Sequence, residues 1–447
     1  MSFDIMNLLR GLLGMAFLMG VCYLLSNNRR AINWKLIGYS FAAMVLFYLG
    51  VYRFDPVTQF FEFLSRGFVA MINTAVDSTK LLFGNLVDPE FTLPVTDATG
   101  QPTGATAKGW GFLFFIRVLP TIIFFSALSA ILYYTGVLQK IVWFFAWLLS
   151  KLKISGAESV SSAANIFMGQ TEAPLMIKPY LDKMNRSEIL LIMVGGMANT
   201  AGSVLGAYVS FLGTNATEQA NFALHLLTQS IISIPAAIIC SKMLFPQTES
   251  VAHSIKIPRQ KLGDNFLDAL SLGTTDGLKL AVNVGAMLIA FTALIFVTNL
   301  LLGKIGQWTH LNDVIAANTP YKSLSFQMIL GYVFSPVAWL IGVNSHDMLN
   351  VGQLLGEKTI LNEFNAYVSF GAMKNGGVIS DPKTILITTY ALSGFANFAS
   401  IGIQIGGISQ LAPEQRQNLT ELGFKALIGG TIACLMCGCV AGMLFTP

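Results

Sequence analysis

Eight runs of roughly twenty apolar residues constrain this chain more than any other feature. They cover 6–25, 36–52, 111–138, 189–211, 222–245, 280–302, 384–408 and 422–445. Hydrocarbon offers no partner to a main-chain N–H or C=O, so a lipid-embedded chain must close its hydrogen bonds within helices or closed barrels. Runs this long select helices. The fold class that follows is an all-α polytopic membrane protein with eight transmembrane helices. Only 11% of the 447 residues are charged, less than half of the about 25% usual in soluble domains. The net charge of +4 is spread over many loops, and no basic block suits nucleic acid.

The run at 6–25 resembles a signal peptide in length. Its basic residues (Arg29, Arg30 and Lys35) follow it, and no cleavage site of small residues is evident. It reads as a retained helix. Cys22, Cys240, Cys434, Cys437 and Cys439 all fall in apolar runs. The Cys434–Cys437 spacing has no histidine or charge beside it, so these cysteines read as small buried hydrophobes.

Two further stretches, about 154–182 and 327–370, are apolar but interrupted by Gly, Pro, Asn and Glu. Such backbone at membrane depth must be buried in protein or line a cavity. Both read as containing re-entrant hairpins. Phe60, Leu64, Phe68 and Ile72 recur at helical spacing and suggest an interfacial helix or one packed on another subunit. Phe266, Leu267 and Leu270 suggest a second. The Thr-, Gly- and Pro-rich stretch 88–109 reads as an extramembrane loop. The clustered Lys and Arg of 27–35, 139–153, 178–187 and 242–261 face the cytoplasm if the N-terminus is outside.

A short pattern recurs 198 residues apart: Gly196-Met197-Ala198-Asn199-Thr200-Ala201 and Gly394-Phe395-Ala396-Asn397-Phe398-Ala399. Each copy follows a segment with a carboxylate at membrane depth, Glu172 or Glu363. Matched, glycine-interrupted apolar segments in two halves mark the binding site of a secondary transporter built as an inverted repeat. A carboxylate in a membrane costs several kcal/mol unless partnered. Glu172 lies in Gly169-Gln170-Thr171-Glu172, close behind Asn165, and Glu363 precedes Phe395, Asn397 and Ser400. The bland alternatives are a capping Glu and an ordinary loop acid near Lys358 and Lys374. Two carboxylates with amides, hydroxyls and an aromatic suit an uncharged ligand bearing a flat ring and several hydroxyls. With Arg117 the one spanning cation, an anionic substrate fits poorly. Ser345-His346-Asp347 has the residue types of a hydrolase triad, but adjacent residues cannot converge on one atom. The four histidines are scattered and no Walker A motif is present, so neither an enzyme nor ATP-driven transport is expected.

At these residues the chain resembles the concentrative nucleoside transporter family of bacterial type. The resemblance is carried by AANIFMGQTEAPL (163–175), AGSVLGAYVSF (201–211), NVGAMLIAF (283–291), NEFNAY (362–367) and GFANFASI (394–401). It implies a symporter that imports nucleosides on a cation gradient, sodium or alternatively protons, by an elevator motion, as a homotrimer in the plasma (inner) membrane. It implies Gln170, Thr171 and Glu172 at the nucleobase, and Glu363, Asn397 and Ser400 at the ribose. Val204 and Phe395 would pack on the nucleoside. Asn165, Met168, Asn199 and Thr200 would hold sodium. Asn199 departs from the family's Ser or Thr, although an amide oxygen still suits a hard cation. No cofactor beyond the coupling ion is implied. The implied organisation is 1–138 as N-terminal helices mainly of the scaffold and 139–261 as the first half of the transport domain. A scaffold helix with an interfacial segment follows at 262–322, and the second transport half at 323–447.

Overall fold

A computed structural model of the chain describes residues 5–87, 92–96, 99, 101–108, 113–253 and 263–445. It is helical apart from one antiparallel ribbon, Thr92–Thr96 with Pro102–Lys108, in the stretch expected as a loop. Three helices open the chain: α1 (Ile5–Leu24), α2 (Trp34–Arg53) and α3 (Asp55–Phe83). Then come α4 (Leu119–Tyr134), α5 (Val137–Ser150) and α6 (Gly156–Asn165), followed by a turn-rich stretch to Leu181. Next are α7 (Arg186–Ala198), α8 (Gly202–Leu212), α9 (Ala216–Leu244) and the 43-residue α10 (Phe266–Trp308). The rest is α11 (Leu311–Asn318), α12 (Phe326–Leu340), α13 (Met348–Ile360), α14 (Glu363–Asn375), α15 (Pro382–Leu392), α16 (Phe398–Leu411) and α17 (Arg416–Met443).

Helix starts follow local chemistry. Ser155 and Asn185 open α6 and α7 with capping boxes to Glu158 and Glu188. Asn33, Asn215, Asn265 and Asn397 cap α2, α9, α10 and α16 through side-chain oxygens. At the centre α7, which is almost wholly buried, packs with α9 and α17, which are buried over most of their length. All five cysteines lie here or on α1 as buried free thiols.

Among the described residues, seven helices are long and apolar enough to span, counting α7 and α8 as one. Two expected continuous spans are broken. The 189–211 run stops at Ala198 and resumes at Gly202, with Asn199 extended (φ −114°, ψ 166°). The 384–408 run stops at Leu392 and resumes at Phe398, with Asn397 extended (φ −145°, ψ 166°). Hydropathy sums side chains and is blind to the three residues (199–201) and five residues (393–397) of unwound backbone. Both copies of the repeated pattern therefore fall on helix breaks.

The two expected interfacial helices also differ. Phe60 and Leu64 belong to the 29-residue α3 and are exposed, as a face for lipid or another subunit would be, whereas Ile72 falls in its buried stripe of Ser65, Val69, Ile72, Ala75 and Thr79. Residues 266–270 are the first turns of α10 rather than a separate helix.

Candidate functional site

The two breaks meet. Phe395 N–H donates to the Asn199 carbonyl (3.3 Å) and Gly394 N–H to Thr200 Oγ1 (3.0 Å). Thr200 Oγ1 also lies 2.8 Å from Ser393 Oγ, which donates to Gln229 Oε1 (2.8 Å). Such an approach requires glycine at 394. Its φ is +105°, and a Cβ there would sit 2.7 Å from the Ala198 carbonyl oxygen. At Gly196 a Cβ would sit 2.7 Å from Gln404 Nε2 and 2.9 Å from Gln170 Cβ.

A cavity of about 180 Å³ opens beside the junction. Gln170, Thr171, Glu172, Val204, Glu363, Phe395, Asn397 and Ser400 all line it, with Leu280, Val284 and Met287 of α10 as an apolar wall. Glu363 is 4% exposed, in the first turn of α14, where the helix dipole favours a carboxylate. It accepts hydrogen bonds from Asn397 Nδ2 (2.9 Å) and Tyr208 Oη (3.3 Å). Asn397 also accepts from Ser400 N–H (2.9 Å) through Oδ1. Ser400 Oγ in turn accepts from Gln170 Nε2 (3.2 Å). Gln170 Oε1 is buried without a partner, an acceptor left open for a ligand or water. Glu172 Oε2 accepts from the Gly169 N–H (3.2 Å), and its side chain is exposed towards the cavity. The cavity thus offers two carboxylates and an amide oxygen as acceptors, amides and hydroxyls on its wall, and the aromatic rings of Phe364 and Phe395.

Below it, the turn at Asn165–Met168 abuts the first break, because Gly202 N–H donates to the Phe167 carbonyl (3.2 Å). The candidate ion-holding residues Asn165 and Met168, and Asn199 and Thr200, therefore lie on two segments that meet. Asn165, Asn199 and Thr200 are buried. The Asn199 side chain is already engaged: Nδ2 donates to the Ser230 carbonyl (3.0 Å) and Oδ1 accepts from Thr200 N–H (2.7 Å). An amide oxygen keeps a second lone pair, so the donor set still fits a hard monovalent cation.

A larger cavity, about 1080 Å³, lies between α3, α10 and the 211–219 turn. Its described lining includes Arg117 and several amides but no carboxylate, and none of the candidate site residues.

Several site residues were not singled out from the sequence. Tyr208 sits one turn beyond Val204 on α8, and Gln404, which donates to the Met193 carbonyl (3.0 Å), one turn beyond Ser400 on α16. Helical spacing alone could have found both. Lys358, named above only beside a possible loop acid, is 1% exposed and donates to the carbonyls of Ala391 and Ser393. Arg117 is not the one cation in a span, because Arg10, Lys242 and Lys425 also lie on helices long and apolar enough to cross. Lys242 of α9 is also buried, paired with Glu158.

Known proteins share both this sequence and this fold. Residues 13–86 match the family model described as Na+ dependent nucleoside transporter N-terminus, and 225–442 match its C-terminus. Residues 115–215 match a model described as nucleoside recognition. An uncharacterised transporter of Haemophilus influenzae is 38% identical over 445 residues, 98% of each chain. Sodium/nucleoside cotransporter 1 of Rattus norvegicus is 34% identical over 450 residues, 96% of this chain and 63% of that longer protein. A solved structure of CNTnw in an inward-facing substrate-bound state has a TM-score of 0.84 at 36% identity, covering 98% of this chain and 97% of that one. An outward-facing structure of a substituted form of that protein gives 0.86 at 35%, covering 98% of both. These relatives are transporters rather than enzymes, and their inward- and outward-facing states fit alternating access. This multi-pass membrane chain belongs to the concentrative nucleoside transporter family, whose matching model is described as Na+ dependent.

Proposed function

We propose that this chain imports nucleosides of the uridine type, coupled to sodium, by an elevator motion of one domain against another. The observation that carries the reading is the convergence of eight residues from four separated segments on one compact cavity between two bonded helix breaks. Gln170, Thr171 and Glu172 face the base. Glu363, with Asn397 and Ser400, holds the ribose hydroxyls, for which a carboxylate is a two-fold acceptor. Val204 and Phe395 pack on the rings. Sodium sits among Asn165, the Met168 carbonyl, Asn199 and the Thr200 carbonyl. It orders the turn that presents Gln170–Glu172, so sodium and nucleoside raise each other's affinity by one factor.

The moving domain is 139–261 with 323–447, two inverted halves that each begin with a re-entrant hairpin. The static scaffold is 1–138 with 262–322, and three copies assemble around it. The protein lies in the plasma (inner) membrane with its N-terminus outside. One observation favours a second reading, proton coupling: Asn199 Oδ1 is held by the next N–H. Glu172, which has no side-chain cation on it among the described ion pairs, is then the group that titrates.

Radiolabelled uridine uptake into proteoliposomes separates the two readings. The inward gradient is sodium, or choline in its place, at constant pH. Accumulation only with sodium is the expected result. Uptake that ignores sodium but collapses with a protonophore replaces sodium by protons, and no uptake under either gradient removes the nucleoside assignment.

A further inference from the structure

Two lysines are buried in the helical core, and they are satisfied differently. Lys242 on α9 pairs with the Glu158 carboxylate and Ser187 Oγ. Lys358, near the end of α13, has no carboxylate within 4.0 Å among the described residues. Its Nζ donates instead to two main-chain oxygens, Ala391 O at 2.9 Å and Ser393 O at 3.3 Å. These are carbonyls of the last turn of α15 and the first residue of the second break. A helix that stops inside a membrane leaves such carbonyls without N–H partners and concentrates partial negative charge there. Hydrocarbon supplies no water to take their place.

The ammonium therefore does the work of the missing turn, and the site hangs from the backbone it fixes. Ser393 Oγ touches Thr200 Oγ1, Gly394 and Phe395 N–H bond the first break, and Asn397 holds Glu363. Glu363 lies within electrostatic reach of Lys358. At the first break the matching carbonyl, Ala198 O, is met by an amide, Gln229 Nε2 (3.1 Å), and by the Cys434 thiol (3.6 Å). No side-chain ammonium serves it among the described residues.

We propose that Lys358 is a tethered cation that holds the second break open for substrate, as the mobile sodium ion holds the first. One break thus has its positive charge built in, and the other takes it from solution. Lys358 is a positioning residue: it does not line the cavity, and it acts through Phe395 and Asn397. The proposal rests on the assignment of that cavity to nucleosides.

Uridine binding to the purified full chain in sodium, followed calorimetrically, tests it with Lys358→Met, Lys358→Ala and Lys358→Arg. Gel filtration reports folding. Lys358→Met keeps the stem and loses only the charge, and is expected to weaken uridine binding about tenfold or more. Lys358→Ala is expected to lose as much and to regain most of it with methylammonium, which fits the vacated space. Wild type should not respond to the amine, and a merely structural lysine would give no such rescue. Folded Lys358→Met that binds like wild type overturns the proposal, as does folded Lys358→Ala indifferent to methylammonium. Should neither neutral variant fold, Lys358→Arg decides. Its guanidinium can reach the same two carbonyls, so folding and binding support the tethered cation, and failure overturns it. Wild type that binds no uridine overturns the nucleoside reading, and this proposal falls with it. Binding by wild type and Lys358→Met alike removes this proposal alone.

Discussion

Asn397 serves two elements at once. Its Oδ1 caps α16 and its Nδ2 holds Glu363, so the residue that starts the helix also orients the carboxylate. Glu363→Gln replaces a charged acceptor by a neutral amide in a pocket that is 4% exposed at this residue. Uridine affinity should fall by roughly 1–3 kcal/mol in a binding titration, the scale of a hydrogen bond to a charged group. Unchanged affinity would assign Glu363 to structure alone. The polar residues of the cavity were legible in the sequence because each is expensive at membrane depth, and so needs a reason to be there. Lys358 was not. Glu357 and Thr359 beside it imitate a solvated loop, and its partners are carbonyls, which every sequence has. The engagement of Asn199 by its own neighbour was equally invisible, since it depends on one extended φ, ψ pair.

The helices pack by their small faces. On the first half of α10 the buried residues are Ala269, Gly273, Gly277, Ala281 and Val284, spaced by four and then three. A Cβ at Gly277 would lie 2.8 Å from Ile123 Cα, and one at Gly273 would lie 2.9 Å from Ala127 Cα. The α4 backbone therefore rests directly on the α10 backbone, as small residues allow between helices in lipid. The large residues point away. The stripe of α3 expected at the membrane or at another subunit is split, with Phe60 and Leu64 exposed and Ile72 buried. The face of α3 that turns inward carries Ser65, Val69, Ile72, Ala75 and Thr79. Gly277→Leu should push α10 off α4 and lower thermal stability by about 1–3 kcal/mol or more, as overpacking does. A detergent-solubilised melting curve that does not move would show that the contact tolerates separation. Element existence was readable from run length. The two breaks were not, because Asn199 and Asn397 sit within runs whose mean hydropathy stays high.

The whole chain leaves α10 conspicuously uncovered. At 1.5 Å per residue its 43 residues extend about 65 Å, twice the roughly 30 Å hydrocarbon core. Ile289, Phe296 and Leu300 on it are each at least 65% exposed. Lipid would satisfy that ridge, and so would the same ridge of another copy. The proposed assembly predicts a protein mass in detergent, by light scattering with the micelle subtracted, of three times the 48.4 kDa chain. A single-chain mass would leave α10 to lipid.

The five thiols are all buried, and this makes the wild-type chain its own blank for chemical labelling. A membrane-impermeant maleimide given to sealed vesicles should leave it unmodified. Thr217→Cys, at the exposed start of α9, and Ser250→Cys, in the exposed turn after it, would then each report one side of the bilayer against a silent background. If α9 crosses with its N-terminal end outside, only Thr217→Cys is modified from the outer face, and the handedness of the whole molecule in its membrane is read from two reactions.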